Sequence, residues 1–193
     1  MKYEKEITVE VSCDLEELKS ILKKYNFKII EEYDLNDIYM IDKNNMYHKD
    51  KLELLKYCIL LRNIVENDKE KNIITYKYKE YDENNNILNQ GKIDCKITSI
   101  NEAKELFEAI NYQELIRIND HIIIYGNETD EIALQLVDNH IYLEIEENCD
   151  RINKKYKNID EMKQVISKYN IPIKMNIYFI KKAQIALNEK INK

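Results

Sequence analysis

Short segments in which charged and apolar residues alternate one by one constrain this chain more than any other feature. Within residues 142–147, Glu144 and Glu146 alternate with Leu143 and Ile145. Because side chains on a β-strand point to its two faces in turn, both carboxylates lie on one face, about 6.5 to 7 Å apart. Such a pair is tolerated in water, or opposite a divalent cation or several basic side chains. The segment is therefore either the solvated face of an edge strand or one wall of a charged site.

The same alternation recurs along the chain, and its charges are sorted by sign. Carboxylates occupy the first and last alternating segments, and lysine and arginine occupy the segments between them. The alternating segments cover 4–11, 58–64, 72–79, 91–97, 115–125 and 140–146. A sheet with one wet face explains the alternation. It gives no reason for the sorting, which favours an acidic wall and a basic wall of one site.

The remaining patterns predict an α+β fold with roughly eight strands and four helices. Capping boxes at Asp14 and Ser99 begin two of the helices, and apolar stripes indicate two more near the C-terminus. The other predicted elements are strands at 27–33 and 37–41, a polar loop at 42–51, a hairpin turn at 138–139, and a last helix from about residue 175. We expect an eight-stranded antiparallel β-barrel with helices packed outside. Residues 1–193 would form a single domain, with C-terminal helices at about 158–193 packing on the barrel.

Composition excludes several classes of function. With 34% charged residues and a net charge of -6, the chain has no general attraction to nucleic acid or anionic lipid. Two glycines leave no glycine-rich phosphate loop, so any bound phosphate must be held by side chains. The four cysteines and three histidines lack zinc-ligand spacing. No signal peptide or membrane span is predicted, and we expect a cytoplasmic protein with reduced thiols.

In chain order, the charged segments also reproduce the motif order of a known family. The segments are Glu4-Lys5-Glu6-Ile7-Thr8, Asp37-Ile38-Tyr39, Leu61-Arg62-Asn63-Ile64, Thr75-Tyr76-Lys77, Lys92-Ile93-Asp94, Arg117-Ile118-Asn119, Glu144-Ile145-Glu146 and Asn176-Ile177-Tyr178. This order resembles the CYTH superfamily, the triphosphate tunnel metalloenzymes. That superfamily includes class IV adenylate cyclases, thiamine triphosphatases and inorganic tripolyphosphatases. The resemblance implies an eight-stranded antiparallel tunnel that binds a triphosphate.

The resemblance also implies which residues form the site. Catalytic and metal-binding roles, with Mg²⁺ or Mn²⁺, fall on Glu4, Glu6, Glu144 and Glu146. Phosphate binding falls on Arg62, Lys77, Lys79, Lys92 and Arg117. The chain departs from the family where Thr8 replaces a lysine and where Ile64 and Asn119 replace arginine-type residues. Each lost charge-assisted contact costs on the order of 1.5 to 3 kcal/mol.

Three functions follow as expectations. The first is a metal-dependent phosphohydrolase that acts on tripolyphosphate, thiamine triphosphate or a nucleoside triphosphate, by attack of water on the terminal phosphorus. The second is a class IV-like adenylate cyclase. The third is a tunnel that binds polyphosphate or a nucleotide without catalysis, which the three departures favour. The expected partner is a small-molecule triphosphate or polyphosphate, with no nucleic acid and no membrane, and the expected state is a monomer or homodimer.

Overall fold

The computed structural model describes residues 5–47, 51–81 and 87–191. Within these residues the chain forms ten β-strands and five α-helices. The strands are β1 (Glu6–Glu10), β2 (Lys28–Asp42), β3 (Ile59–Glu66), β4 (Lys69–Tyr81), β5 (Ile87–Ile97), β6 (Tyr112–Gly126), β7 (Glu131–Val137), β8 (His140–Glu146), β9 (Asn148–Cys149) and β10 (Lys154–Lys155). The helices are α1 (Leu15–Lys24), α2 (Lys51–Leu54), α3 (Ile100–Ala109), α4 (Ile159–Lys168) and α5 (Lys182–Ile191). Short 3₁₀ helices cover Lys43–Tyr47, Leu55–Tyr57 and Asp150–Ile152.

Eight strands form one large sheet in the order β1-β8-β7-β6-β2-β3-β4-β5. The predicted α+β class is therefore confirmed, but the predicted closed barrel is wrong. Among the described residues no ladder joins β1 to β5, the two ends of this order. The outer edge of β1 is occupied instead by the segment before α5. Thr8 N donates to Tyr178 O and Ile180 N donates to Thr8 O, each at 3.0 Å.

The chain divides into two compact units. The acidic unit comprises the described residues of Glu4–Tyr33 and Asp120–Ile180, and the basic unit comprises the described residues of Asp34–Asn119 and Lys181–Lys193. The acidic unit is named for the glutamates of β1 and β8, and the basic unit for the lysines of β4 and β5. The prediction of a single domain stays a prediction.

The core of the acidic unit packs α1 and α4 on the apolar face of β1. Ile7 and Val9 are fully buried, as are Leu18 and Leu22 on α1 and Met162 on α4. The N-terminus of α1 is fixed by Asp14, whose carboxylate accepts a 2.9 Å hydrogen bond from Glu17 N. This packing leaves the opposite face of β1 for polar residues.

In the basic unit, α3 covers the apolar face of β2 and β3. Ala103 and Phe107 are buried against Ile38, Met40 and Leu61. Ser99 begins the helix by accepting a hydrogen bond from Glu102 N at 3.2 Å. The N-caps at Asp14 and Ser99 that the sequence predicts are thereby confirmed.

Several element boundaries differ from the predictions. The two strands predicted at 27–33 and 37–41 are one strand, β2, because Asp34 and Asp37 continue the ladder with β3. The polar connection at 42–51 is partly helical in its described residues. The last helix begins at Lys182 instead of near 175, because Met175 and Asn176 have φ of 56° and 48° and cannot continue a right-handed helix. The hairpin of β7 and β8 is confirmed, with Asp138 at φ 50° in its turn.

Among the helices in the described ranges, none is long and apolar enough to cross a membrane.

Candidate functional site

The register between β1 and β8 gathers carboxylates that lie far apart in sequence. Glu6 is directly opposite Glu146, and Thr8 is directly opposite Glu144. Directly opposed residues of an antiparallel pair share one face of the sheet. As a result, carboxylate oxygens of Glu6, Glu144 and Glu146 all lie within 4.8 Å of one another. Glu4 lies outside the described residues.

This group suits a hard divalent cation. Three carboxylates offer only oxygen ligands, which Mg²⁺ and Mn²⁺ prefer over nitrogen or sulfur. The oxygens converge, and Glu146 is exposed while the other two residues are half-buried. Glu6, Glu144 and Glu146 are therefore the residues that would hold the cation implied by the family resemblance.

Thr8 stands where the family pattern has a lysine, and its side chain lies at the carboxylates. It is 5% exposed, and its hydroxyl donates a hydrogen bond to Glu144 Oε2 at 3.3 Å. A hydroxyl supplies a dipole but no positive charge. The carboxylate group therefore lacks the cationic side chain that a lysine at this position would add.

A small cavity of about 80 Å³ opens beside Glu144 and Glu146. At about 30 Å³ per water, it holds roughly two or three waters. Its lining comes from β2, β6, β7, β8 and the segment after β8, and comprises Tyr33, Ile124, Glu131, Ala133, Gln135, Glu144, Glu146, Cys149 and Arg151. Burial raises the pKa of Tyr33 to about 12, and the negative charges of Glu31, Glu144 and Glu146 add to the shift. Tyr33, which lines this cavity, is therefore protonated at neutral pH.

Two charged residues of this cavity were not predicted from the sequence. Arg151 Nε donates to Glu31 Oε2 at 2.6 Å, and a second guanidinium nitrogen of Arg151 donates to Glu131 Oε1 at 3.0 Å. Neither Glu131 nor Arg151 belongs to an alternating charged motif. The hairpin offered a signal for Glu131, because it precedes Ala133 by two residues and Ala133 is directly opposite Glu144.

In the basic unit, Arg62 has a carboxylate partner. Its guanidinium donates two hydrogen bonds of 2.7 Å to the two oxygens of Asp37, the residue directly opposite on β2. Burial by itself would lower the pKa of Arg62, but the hydrogen bonds and charge of Asp37 raise it. The lone arginine of the apolar strand is thus neutralised by this strand neighbour, and its role as a phosphate ligand stays a prediction.

Two of the other predicted phosphate ligands, Lys77 and Lys92, lie on an exposed surface of the basic unit. Lys77 is directly opposite Lys92 in the ladder between β4 and β5, and both are exposed. Like charges placed directly opposite each other repel, so this pair is a favourable position for an anion. Lys79 is opposite Gln90, and its side chain lies outside the described part of the chain. Near Lys92, Asp94 accepts a 2.8 Å hydrogen bond from Thr75.

Arg117 lies on β6, between the buried Ile116 and Ile118. Its guanidinium donates to Glu114 Oε2 at 3.0 Å, and Lys104 contacts the same oxygen at 3.0 Å. The Arg117 side chain is 49% exposed, so it keeps donors available to solvent. Its role as a phosphate ligand stays a prediction.

Glu10, at the end of β1, is a buried carboxylate with two basic partners. It is 7% exposed, and its Oε1 contacts Lys174 Nζ at 2.6 Å and His140 Nδ1 at 2.7 Å. Burial would raise the pKa of Glu10, but these two partners lower it overall. Glu10 therefore fixes the segment before α5 to β1. His140 is half-buried.

Comparison with known proteins gives a sequence relative and structures of similar fold. No family model matches the chain. The protein named "Putative adenylate cyclase MJ0240" of Methanocaldococcus jannaschii is 27% identical over 172 residues, which cover 86% of this chain and 90% of that protein.

Two solved structures illustrate the fold relationship. The PH1819 protein of Pyrococcus horikoshii has a TM-score of 0.69 at 15% identity and covers 96% of this chain and 99% of its own. A Hippeastrum protein, named a putative adenylyl cyclase with a dominant triphosphatase activity, has a TM-score of 0.57 at 10% identity, over 89% of this chain and 90% of its own. Together with the motif order, these relationships confirm the resemblance of this chain to the CYTH superfamily.

Proposed function

We propose that this protein is a metal-dependent phosphohydrolase that acts on a small molecule containing a triphosphate. The observation that carries the proposal is the convergence of Glu6, Glu144 and Glu146 within 4.8 Å across the β1–β8 ladder. Clustered carboxylates repel one another, and a divalent cation is the ligand that best offsets this repulsion.

The proposed cation is Mg²⁺ or Mn²⁺, which when bound supplies positive charge to phosphate oxygens and orients them for displacement. Side chains of this protein hold the cation and bind the substrate. Glu6, Glu144 and Glu146 fix where the cation is held, and Glu4 is proposed to join them. Tyr33, protonated at neutral pH, lines the neighbouring cavity and is proposed as a hydrogen-bond donor to the substrate. Most phosphoryl-transfer catalysis consists of such positioning and charge neutralisation.

The triphosphate itself is proposed to bind to basic side chains. Lys77 and Lys92 are the strongest candidates, since their direct opposition on β4 and β5 gains from an intervening anion. Lys79 and Arg117 extend this set. Arg62 contributes its remaining donors, while Asp37 fixes the plane of its guanidinium.

A class IV-like adenylate cyclase is the second candidate. Its support is the M. jannaschii relative, which is named as an adenylate cyclase. The two reactions differ in the attacked phosphorus and in the attacking group, water or a ribose hydroxyl. Their products therefore separate them. Loss of positive charge at Thr8, Ile64 and Asn119 supports a third outcome, binding without turnover.

The test measures phosphate release from tripolyphosphate, thiamine triphosphate and ATP, with Mg²⁺ or Mn²⁺ and with a chelator. The wild type is compared with Glu144→Gln and with Glu128→Gln, an exposed glutamate that serves as the charge control. Metal-dependent release that is lost in Glu144→Gln alone supports the hydrolase. Cyclic AMP and pyrophosphate from ATP would establish the cyclase instead. Thermal stabilisation by tripolyphosphate without any product would establish a binding protein.

A further inference from the structure

A second cavity of the acidic unit lies beside α4 and is lined by charged side chains. Its volume is about 610 Å³, which is within the range of small-molecule sites. The lining includes three lysines and two acids, namely Lys154, Lys157, Lys168, Asp130 and Glu161, and none of the glutamates proposed to hold the metal. Three ammonium groups against two carboxylates give this lining one net positive charge, although the whole chain carries a net charge of -6.

Asp130, immediately before β7, fixes two of these lysines in place. Its side chain is 2% exposed, and its Oδ1 accepts hydrogen bonds from Lys154 at 2.7 Å and from Tyr156 at 2.8 Å. Its Oδ2 accepts hydrogen bonds from Lys168 at 2.7 Å and from Tyr169 at 2.6 Å. Burial alone would raise the pKa of Asp130, but these donors lower it far below its usual value. One ionised carboxylate, with both oxygens occupied, therefore holds two ammonium groups and leaves a positive charge.

Each of these two ammonium groups retains one N–H donor, because an ammonium group has three. Lys154 Nζ donates to Asp130 and to Thr129 O, at 2.7 Å each. Lys168 Nζ donates to Asp130 at 2.7 Å and to Thr129 Oγ1 at 3.0 Å. Each nitrogen also lies over a tyrosine ring, 4.5 and 4.8 Å from the centroid, which restricts its position further. Since both side chains line the cavity, the third donor of each is available to a ligand there.

Lys157 and Glu161 line the cavity near the start of α4. Lys157 is exposed, and none of the described residues forms an ion pair with its ammonium group. Its backbone N donates to Glu161 Oε2 at 2.8 Å, and Asn158 accepts a hydrogen bond from Glu161 N at 3.0 Å. The carboxylate of Glu161 thus caps the helix, where it also interacts with the positive end of the helix dipole. The charge of Lys157 remains available to a ligand.

We infer that this cavity binds the phosphate group of a small phosphorylated molecule, or inorganic phosphate itself. A phosphate group carries more than one negative charge and several strong acceptor oxygens, so it can accept hydrogen bonds from Lys154, Lys157 and Lys168 together. A carboxylate offers one charge and two oxygens, and would satisfy fewer of these donors. The cavity has the volume of roughly twenty waters, which leaves room for an organic group attached to the phosphate. This anion site lies outside every motif of the sequence.

The test measures binding of inorganic phosphate and of ribose 5-phosphate to the full-length protein by calorimetric titration, with a chelator present and ribose as the uncharged control. We expect Lys157→Gln and Lys168→Gln each to weaken binding about tenfold, since each removes a charge-assisted contact. Lys163→Gln is the matched control, because it removes the same charge from α4 at a residue outside the cavity lining. It should stay within about twofold of wild type. Tighter binding of ribose 5-phosphate would identify an organic phosphate as the ligand, and equal affinities would identify phosphate alone.

Substitution of Glu161 should change phosphate affinity in the opposite direction. Glu161→Gln keeps an oxygen that can cap α4 and removes a charge that repels the anion. We expect it to strengthen binding of both phosphates about two- to tenfold. Unchanged or weaker binding in Glu161→Gln would contradict an anion in this cavity.

Thermal unfolding separates ligand binding from stability. Lys168→Gln removes a hydrogen bond to the buried Asp130, so it lowers stability as well as binding. Lys157→Gln avoids this effect, because no described residue contacts its ammonium group. Its Tm without ligand should match that of the wild type. Phosphate should raise the Tm of the wild type and of Lys163→Gln more than that of Lys157→Gln.

Three results would overturn the inference. The first is that the wild type binds neither phosphate, and the second is that Lys157→Gln and Lys163→Gln bind equally well. The third is that binding is lost in Lys92→Gln and unchanged in Lys157→Gln, because the phosphate would then be held in the basic unit. The chelator removes divalent cations and no variant alters a glutamate of β1 or β8, so none of these results depends on whether the protein hydrolyses a triphosphate.

Discussion

Thr8 on β1 lies directly opposite Glu144 on β8, and its hydroxyl donates a 3.3 Å hydrogen bond to Oε2 of that glutamate. This contact places a neutral donor at the centre of the carboxylate group. The family pattern has a lysine at the position of Thr8. The pairing of β1 with β8 indicates that the ammonium group of such a lysine would lie against the oxygens proposed to hold the metal.

Restoring that charge should increase activity. We expect Thr8→Lys to raise the rate of phosphate release by about one to two powers of ten, as one regained charge-assisted contact would allow. The measurement is the steady-state rate with tripolyphosphate at saturating Mg²⁺. Thr8→Met is the control, because it adds comparable length without charge. Equal rates for the two variants would show that the missing lysine does not limit turnover.

Substitution of one of the two opposed lysines of the basic unit should weaken ligand binding without lowering the stability of the protein. Lys92→Gln should weaken tripolyphosphate binding about tenfold, since a charge-assisted contact is lost. The free energy of unfolding without ligand should stay constant or rise by about 0.2 to 1 kcal/mol, because repulsion from Lys77 is relieved. Calorimetric titration and urea unfolding measure the two quantities.

Lys96→Gln is the matched control for Lys92→Gln. Lys96 lies on the same face of β5 and is also exposed, but the residue opposite it is Ile73 instead of a lysine. If both substitutions weaken binding equally, the anion responds to general charge and not to the Lys77–Lys92 pair.

Arg62 should prove important for stability through its pairing with Asp37. Arg62→Lys cannot form two parallel hydrogen bonds to that carboxylate, which is 6% exposed in its side chain. We expect the free energy of unfolding to fall by about 1.5 to 3 kcal/mol, measured by urea denaturation. Arg117→Lys, at a side chain that is 49% exposed, should change it by less than about 0.5 kcal/mol. A similar small loss for Arg62→Lys would contradict the structural role.

A buried aspartate of the acidic unit predicts a dependence of stability on pH. Asp130 is 1% exposed, and it accepts hydrogen bonds from Lys154 and Tyr156 on one oxygen and from Lys168 and Tyr169 on the other. Burial would raise its pKa, but these four donors lower it far below its usual value. A carboxyl whose pKa is lower in the folded state stabilises that state at every pH above the unfolded value. The contribution is lost as the pH falls below about 4.

Asp130→Asn should therefore destabilise the protein by about 3 to 5 kcal/mol at pH 7, because the lysines lose a buried partner. Its stability should also change less between pH 4 and pH 2 than that of the wild type. Urea unfolding at a series of pH values measures both effects. Asp160→Asn is the control, since Asp160 is 82% exposed. A parallel loss of stability with acid in wild type and Asp130→Asn would exclude Asp130 as the source.

The sequence by itself determined the elements and the polarity of their faces. Alternation predicted the β7–β8 hairpin with its bounds, and capping boxes at Asp14 and Ser99 predicted α1 and α3, since these signals depend on neighbours in the chain. The order of charged motifs was sufficient to identify the family resemblance. It also named Glu144 and Glu146 as a pair on one face.

The tertiary structure determined which residues those strand faces contact. The register of β1 against β8 brought Glu6 to Glu146, and strand pairing gave Arg62 its partner Asp37. The segment before α5 forms hydrogen bonds with the outer edge of β1, so this edge does not pair with β5 among the described residues. The same segment buries Glu10. The convergence of Lys154 and Lys168 on Asp130 also emerged only from packing. These contacts join residues far apart in the chain, so their geometry follows from the pairing of whole strands and not from local sequence.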